Sequence, residues 1–159
     1  MYIRYEYYKA LYDPVNEKAF TRFSFDACRH IDRLTTGIDG VKKLKIAFPT
    51  DEDSAEAVKR CTAAVLNFLI RIDSLEKAAL SANEYVQTEN GLQKKVISSV
   101  TAGNESISFS SGDAKTVFDA SLADTEVRSR EIANIVREYL SGVTDANGVN
   151  LLYMGCYPV

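Results

Sequence analysis

The sequence predicts a mainly α-helical protein, a small bundle around one long central helix with a β-hairpin inserted late in the chain. Three observations carry that expectation. Apolar residues recur at three- and four-residue steps over long stretches. One such stretch, 51–82, is far longer than its neighbours. Only one region, about 94–111, changes to the two-residue alternation of a strand. At 159 residues, with 46% hydrophobic and 26% charged residues, the chain has the size and composition of one folded domain, 1–159.

The first element is a short helix over 2–12. It holds five tyrosines, Tyr2, Tyr5, Tyr7, Tyr8 and Tyr12, among charged residues. Tyr5, Tyr8 and Tyr12 share one helical face, either to cap the core of the next helix or to meet a partner chain. Asp13-Pro14 ends it, because proline excludes the helical conformation from the residue before it. A second helix covers 16–35. Asn16 caps it, Glu17 suits its positive end, and Phe20, Phe23, Ala27, Ile31 and Leu34 form its buried stripe. The turn at Gly37-Ile38-Asp39-Gly40 stops it. Residues 41–48 suit either a strand or a short helix, with Leu44 and Phe48 buried.

The long helix, 51–82, begins at Thr50 or Asp51. Asp51, Glu52, Asp53 and Glu56 lie at its positive end. Val58, Cys61, Val65, Phe68, Ile72, Leu75 and Ala79 then step by alternate threes and fours, the spacing of a seam that packs knobs into holes on another helix. Leu66, Leu69 and Ile70 widen the apolar face, so the middle of the helix is expected to be central to the fold or to an interface. After Glu89-Asn90-Gly91 the pattern changes. Residues 95–100 and 106–110 are read as two arms around Thr101, Ala102, Gly103, Asn104 and Glu105; Ile107 and Phe109 alternate with serines. A lone hairpin is marginal in water, so it must lie on the helices or offer its edge to a neighbour. A last helix spans 115–141, with a break possible within 119–125, and Gly142 stops it.

The tail, 145–159, is apolar and aromatic although it comes after the last helix. Chain ends fray unless they are tied down. Leu151, Leu152, Tyr153, Met154 and Tyr157 are therefore expected to pack on their own domain or on a partner. With the tip of the hairpin, they are the candidate contact residues.

No catalytic constellation is legible, and the chain is expected not to be an enzyme. The one histidine, His30, has Asp32 two positions on, which points the two side chains apart on a helix. Cys28, Cys61 and Cys156 contain no CxxC pair and are odd in number, which suits buried thiols in a reducing compartment better than disulfides or zinc. Gly37-Ile38-Asp39-Gly40 lacks the glycine spacing of a phosphate loop. The acids at 51–53 are explained by their helix start. No cofactor or metal is expected. A net charge of −3 argues against a surface built to grip nucleic acid. The charged, aromatic N-terminus does not read as a signal peptide, and the longest apolar run, 63–70, is too short to span a bilayer. The reading is of a protein without a membrane role, kept in a cytoplasm.

Three segments together resemble a known family. They are the aromatic start (Tyr5-Glu6-Tyr7-Tyr8-Lys9-Ala10-Leu11-Tyr12) with Phe20 to Thr35, the hairpin from Val96 to Phe109, and the ending Tyr139-Leu140-Ser141-Gly142-Val143 with Leu151-Leu152-Tyr153-Met154-Gly155. In this order they look like the head–tail connector proteins of tailed bacteriophages and prophages, also called head-completion or adaptor proteins of the neck. The likeness covers most of the chain. It implies a structural virion protein, assembled in the host cytoplasm, that forms a ring of about twelve subunits under the portal. The ring would extend the DNA channel, let DNA pass without sequence-specific binding, and give the tail or other neck proteins a docking surface. Rival readings are a non-viral helical interaction module and, less well supported, a small enzyme built on Asp51, Asp53 and Glu56.

Overall fold

In the computed structural model the residues described are 1–81, 85–88, 91–94, 100–102, 105–107 and 117–158. The protein is mainly helical. Among the described residues six helices occur in chain order: α1 (Tyr5–Leu11), α2 (Glu17–Thr35), α3 (Lys43–Ile46), α4 (Glu52–Ser81), α5 (Val117–Ala123) and α6 (Thr125–Leu140). Between α4 and α5 the described residues form four short strands: β1 (Tyr85–Thr88), β2 (Gly91–Lys94), β3 (Val100–Ala102) and β4 (Glu105–Ile107). The fold divides into two compact units, Met1–Arg71 with Arg130–Val159, and Ile72–Ser129.

Among the described residues, most of the buried side chains lie in the first unit. On α2 the expected stripe is buried at Phe20, Phe23, Ala27 and Ile31, and Asn16 caps the helix by accepting from the Lys18 amide at 2.8 Å. On α4 the seam is buried at Val58, Cys61, Val65 and Phe68, and Leu66 is buried with it. Asp51 caps this helix: its Oδ2 accepts from the Ser54 amide at 2.9 Å, and hydrogen bonding to Ser54 holds its carboxyl below the usual range. Ile132, Val136 and Leu140 complete the core from α6. The aromatic face of α1 turns inward. Tyr8 is 1% exposed, and its ring lies 5.9 Å from Phe20 and 5.5 Å from Tyr12. The Tyr8 hydroxyl donates to Asn67 Oδ1 at 3.2 Å, and Tyr7 donates to Glu56 Oε1 at 2.6 Å. Burial and that carboxylate push the Tyr7 phenol up to about 12.

Within 41–48, open between strand and helix in the sequence, Lys43–Ile46 form the single helical turn of α3, and Phe48, expected to be buried, is half-buried. Of its two lysines, Lys43 is buried together with Leu44, while Lys45 is exposed. A hydrophobic pattern alone could not announce a buried cation.

In the second unit, α4 continues with Ile72 buried, while Leu75, expected in the seam, is exposed. The side chain of Ala79 lies outside the described residues. The final helix is divided as its composition allowed: Asp124 separates α5 from α6 and caps α6, its Oδ1 accepting from the Glu126 amide at 2.7 Å. Arg128 pairs with Glu76 on α4 and donates from Nε to the Ser121 carbonyl at 3.2 Å. Leu122 on α5 is buried.

The expectation of one inserted hairpin over about 94–111 is not supported. The described strands form two separate antiparallel pairs, and the first begins before that range. In it Tyr85 pairs with Lys94 and Thr88 with Gly91; in the second Val100 pairs with Ile107 and Ala102 with Glu105. Residues 95–99 and 108–113, assigned to the hairpin's arms and exit, and 115–116, assigned to the last helix, lie outside the described residues. β1 carries Tyr, Val and Thr, residue types that favour strands. β2 lies against α5.

Candidate functional site

The C-terminal segment is built on a tight loop. Gly142, at φ 78°, lets the chain leave α6, and the Val143 amide returns to the Leu140 carbonyl at 3.2 Å. Thr144 then bridges Asn150, and Asp145 organises the residues between them. Its Oδ1 accepts from the amides of Asn147 and Val149, each at 2.9 Å, and its Oδ2 accepts from the Tyr157 hydroxyl at 2.6 Å. A buried carboxylate is tolerated here because three donors replace its water.

Backbone hydrogen bonds and the side chains of Lys43 and Asp39 anchor the segment to its own unit. Leu151 is fully buried. Lys43 reaches the tail from α3: its Nζ donates to the Leu151 carbonyl at 3.1 Å and to the Tyr153 carbonyl. The same nitrogen lies 5.7 Å from the Tyr153 ring centre. Burial lowers the Lys43 pKa, opposed by Asp145 and Asp39. The Ile38 amide donates to the Met154 carbonyl at 2.9 Å, and the Ala146 amide to the Ala47 carbonyl at 3.2 Å. The Tyr157 amide donates to Asp39 Oδ2, which helps to hold the Asp39 carboxyl below its ordinary value. At Gly37 the tail passes so close that an added Cβ would stand 2.5 Å from the Gly155 carbonyl oxygen.

The tail is thus tied down along its backbone, but its apolar side chains divide. Leu151 faces the core, Leu152 and Tyr157 are half-buried, and Tyr153 and Met154 stand 52% and 56% exposed. A rigid backbone carrying two exposed, adjacent, large apolar side chains is suited to contact, because the ordering entropy has already been lost in folding. Of the other candidate contacts, Thr101 and Ala102 lie in β3 and Glu105 in β4. Gly103 and Asn104 lie outside the described residues.

A second surface has no counterpart in the sequence reading. The N-terminal residues, α2 and α3 enclose a groove of about 900 Å³. Met1, Phe25 and Leu44 supply its apolar lining, and Arg29, Arg33, Lys42 and Lys45 its charge. Its one carboxylate, Asp32, accepts from the Tyr2 hydroxyl and lies 3.5 Å from Lys45. Phe25 is 63% exposed although it sits on α2 among core residues. The signals were present in the sequence as Arg29 and Arg33, one helical turn apart, and as Lys42 just before α3 and Lys45 within it. Only the packing of α3 against α2 brings them to one groove.

Among the described residues, the histidine, the cysteines and Glu56 are dispersed or engaged. His30 is half-buried, and burial together with Arg33 and Arg29 lowers its pKa. Cys28 and Cys61 are buried, and burial pushes the Cys61 thiol up to about 12; Cys156 is exposed. Glu56 is engaged by Tyr7 and Arg60. No helix among the described residues is long and apolar enough to cross a membrane.

No protein-family model matches the chain, and no characterised protein or solved structure is significantly similar to it.

Proposed function

We propose that this protein is a structural component of a phage neck, a head–tail connector that joins through its surfaces and catalyses nothing. On this reading copies form a ring beneath the portal, extend the DNA channel, and present a docking surface to the tail or to further neck proteins. The observation that carries the reading is the C-terminal segment. Its backbone is fixed by Lys43, Asp39 and Asp145, yet Tyr153 and Met154 are left in water. Exposed apolar pairs on ordered backbone are what a docking surface needs and what a monomer does not. The mainly helical build and the sequence likeness over most of the chain support the same assignment. The strand pairs between α4 and α5 supply short edges for contact with a neighbouring chain. The acidic balance of the chain suits a channel wall past which DNA slides, since rows of cations would hold phosphates in a salt-dependent way.

Negative-stain microscopy of the protein mixed with its portal tests the proposal. A ring capping the portal is the expected image. Absence of any association across a range of salt concentrations rejects it.

A further inference from the structure

We propose that the cationic groove between the N-terminus, α2 and α3 is one half of a contact between copies of this chain. The other half is exposed Ile46, at the end of α3, together with the exposed acids Asp51, Glu52 and Asp53 at the start of α4. The inference rests on the self-assembly in the proposed function and adds the surfaces that perform it.

Charge and shape both point to this occupant. The groove gathers four cations and one carboxylate in a chain whose net charge is −3. Its carboxylate is already engaged by Tyr2 and Lys45, whereas Arg29, Arg33 and Lys42 form no ion pair among the described residues. Its apolar lining includes Met1 and Phe25, exposed at 70% and 63%. An occupant therefore needs carboxylates beside an apolar side chain. The chain itself displays that combination: Ile46 is 60% exposed, and Asp51, Glu52 and Asp53 come shortly after it, all exposed. Capping explains why acids stand at this helix start, but Asp51 alone closes the cap through Ser54. Seating Ile46 against Phe25 and Met1 while the acids meet Arg29 and Arg33 would remove both exposed apolar surfaces and neutralise both charge clusters. The aliphatic and thioether character of the lining, with a single strongly exposed aromatic ring, favours a protein segment over a nucleic-acid strand, which would call for successive stacking platforms.

Sedimentation velocity of the full chain tests the contact, with circular dichroism confirming that each variant is folded. Every substituted side chain is at the surface. Wild-type protein is expected to self-associate at low salt and less at high salt. R29E/R33E and E52K/D53K should each weaken association at least ~10-fold, because like charges then face each other. Combining all four substitutions in one chain should restore it. F25A should weaken association without changing its salt dependence. Wild-type protein that stays monomeric at millimolar concentration and low salt overturns the proposal, as does association untouched by either reversal or not regained in the combined variant. Binding of a labelled DNA oligonucleotide that R29E/R33E abolishes, with self-association unchanged, reassigns the groove to nucleic acid and also overturns it. The neck reading is judged separately by portal capping: R29E/R33E protein that still forms a normal cap keeps that reading and removes this one.

Discussion

Leu151→Ala is the sharpest probe of how the tail is held. Leu151 is 0% exposed and lies beyond the last helix, in a segment that in most proteins would fray. Truncation removes three buried carbon atoms and leaves a cavity whose walls include backbone pinned by Lys43, so collapse is restricted. Leucine-to-alanine changes at such sites cost about 2–5 kcal/mol. For a chain of this size, each kcal/mol lowers Tm by roughly 2–4 °C. The expected drop is therefore on the order of 10 °C, read by circular dichroism at the helix band and by tyrosine fluorescence, since the chain has nine tyrosines and no tryptophan. Tyr153→Ala with Met154→Ala is the matched control. Both side chains are more than half exposed, and substitutions at such sites change stability by about 0.5 kcal/mol or less. That double variant should melt like the wild type and fail to cap portals. A loss below about 0.5 kcal/mol for Leu151→Ala would refute the anchoring argument, because truncating a buried leucine into a cavity costs more than that. Normal capping by the double variant would remove Tyr153 and Met154 from the docking surface.

The same geometry sets other expected outcomes. Gly37→Ala should destabilise the first unit and expose the tail to limited proteolysis, because the obstacle 2.5 Å from the new methyl group is backbone, not a movable side chain. Lys43→Met should also release the tail: it leaves the Leu151 and Tyr153 carbonyls without their donor, at about 1–3 kcal/mol each, partly offset by no longer burying a charge. Hydrogen exchange at 143–158 reads the effect. Native protein should show one fast-reacting thiol, Cys156, and three after denaturation. Asp39 and Glu56 both have folded pKa values below their ordinary 3.8 and 4.5. Depressed carboxylates contribute stability that is fully present above those ordinary values and lost as pH falls through the folded ones. Acidification below about pH 4 should therefore loosen the Tyr157 end of the tail and the Tyr7–Glu56 contact, and Asp39→Asn should remove part of that acid sensitivity, measured by hydrogen exchange across pH.

The helices were legible in the sequence because their information is local and periodic. Asn16, the stripe from Phe20 to Ile31, and the seam from Val58 to Ile72 each state a start or a face within a few residues. The single helix expected over 115–141 contained its own divider, Asp124, whose carboxylate caps α6. The strands were less legible. Short runs with little alternation leave register and partner to long-range pairing, and the strand-favouring residues at Tyr85–Thr88 competed with a more conspicuous alternation around Ile107.

What the sequence determined alone is a helical chain with an apolar, aromatic ending that water would not keep. It could not say which of those apolar side chains would be buried. A non-periodic segment has no face until something is packed against it, so Leu151, Tyr153 and Met154 looked alike. Tertiary structure separated them by burying Lys43 beneath the tail, which fixes two of its carbonyls and turns Leu151 inward while Tyr153 and Met154 remain outside. The groove arose in the same way. Arg29, Arg33, Lys42 and Lys45 are scattered charges in the sequence, and they become one surface only because α3 packs beside α2.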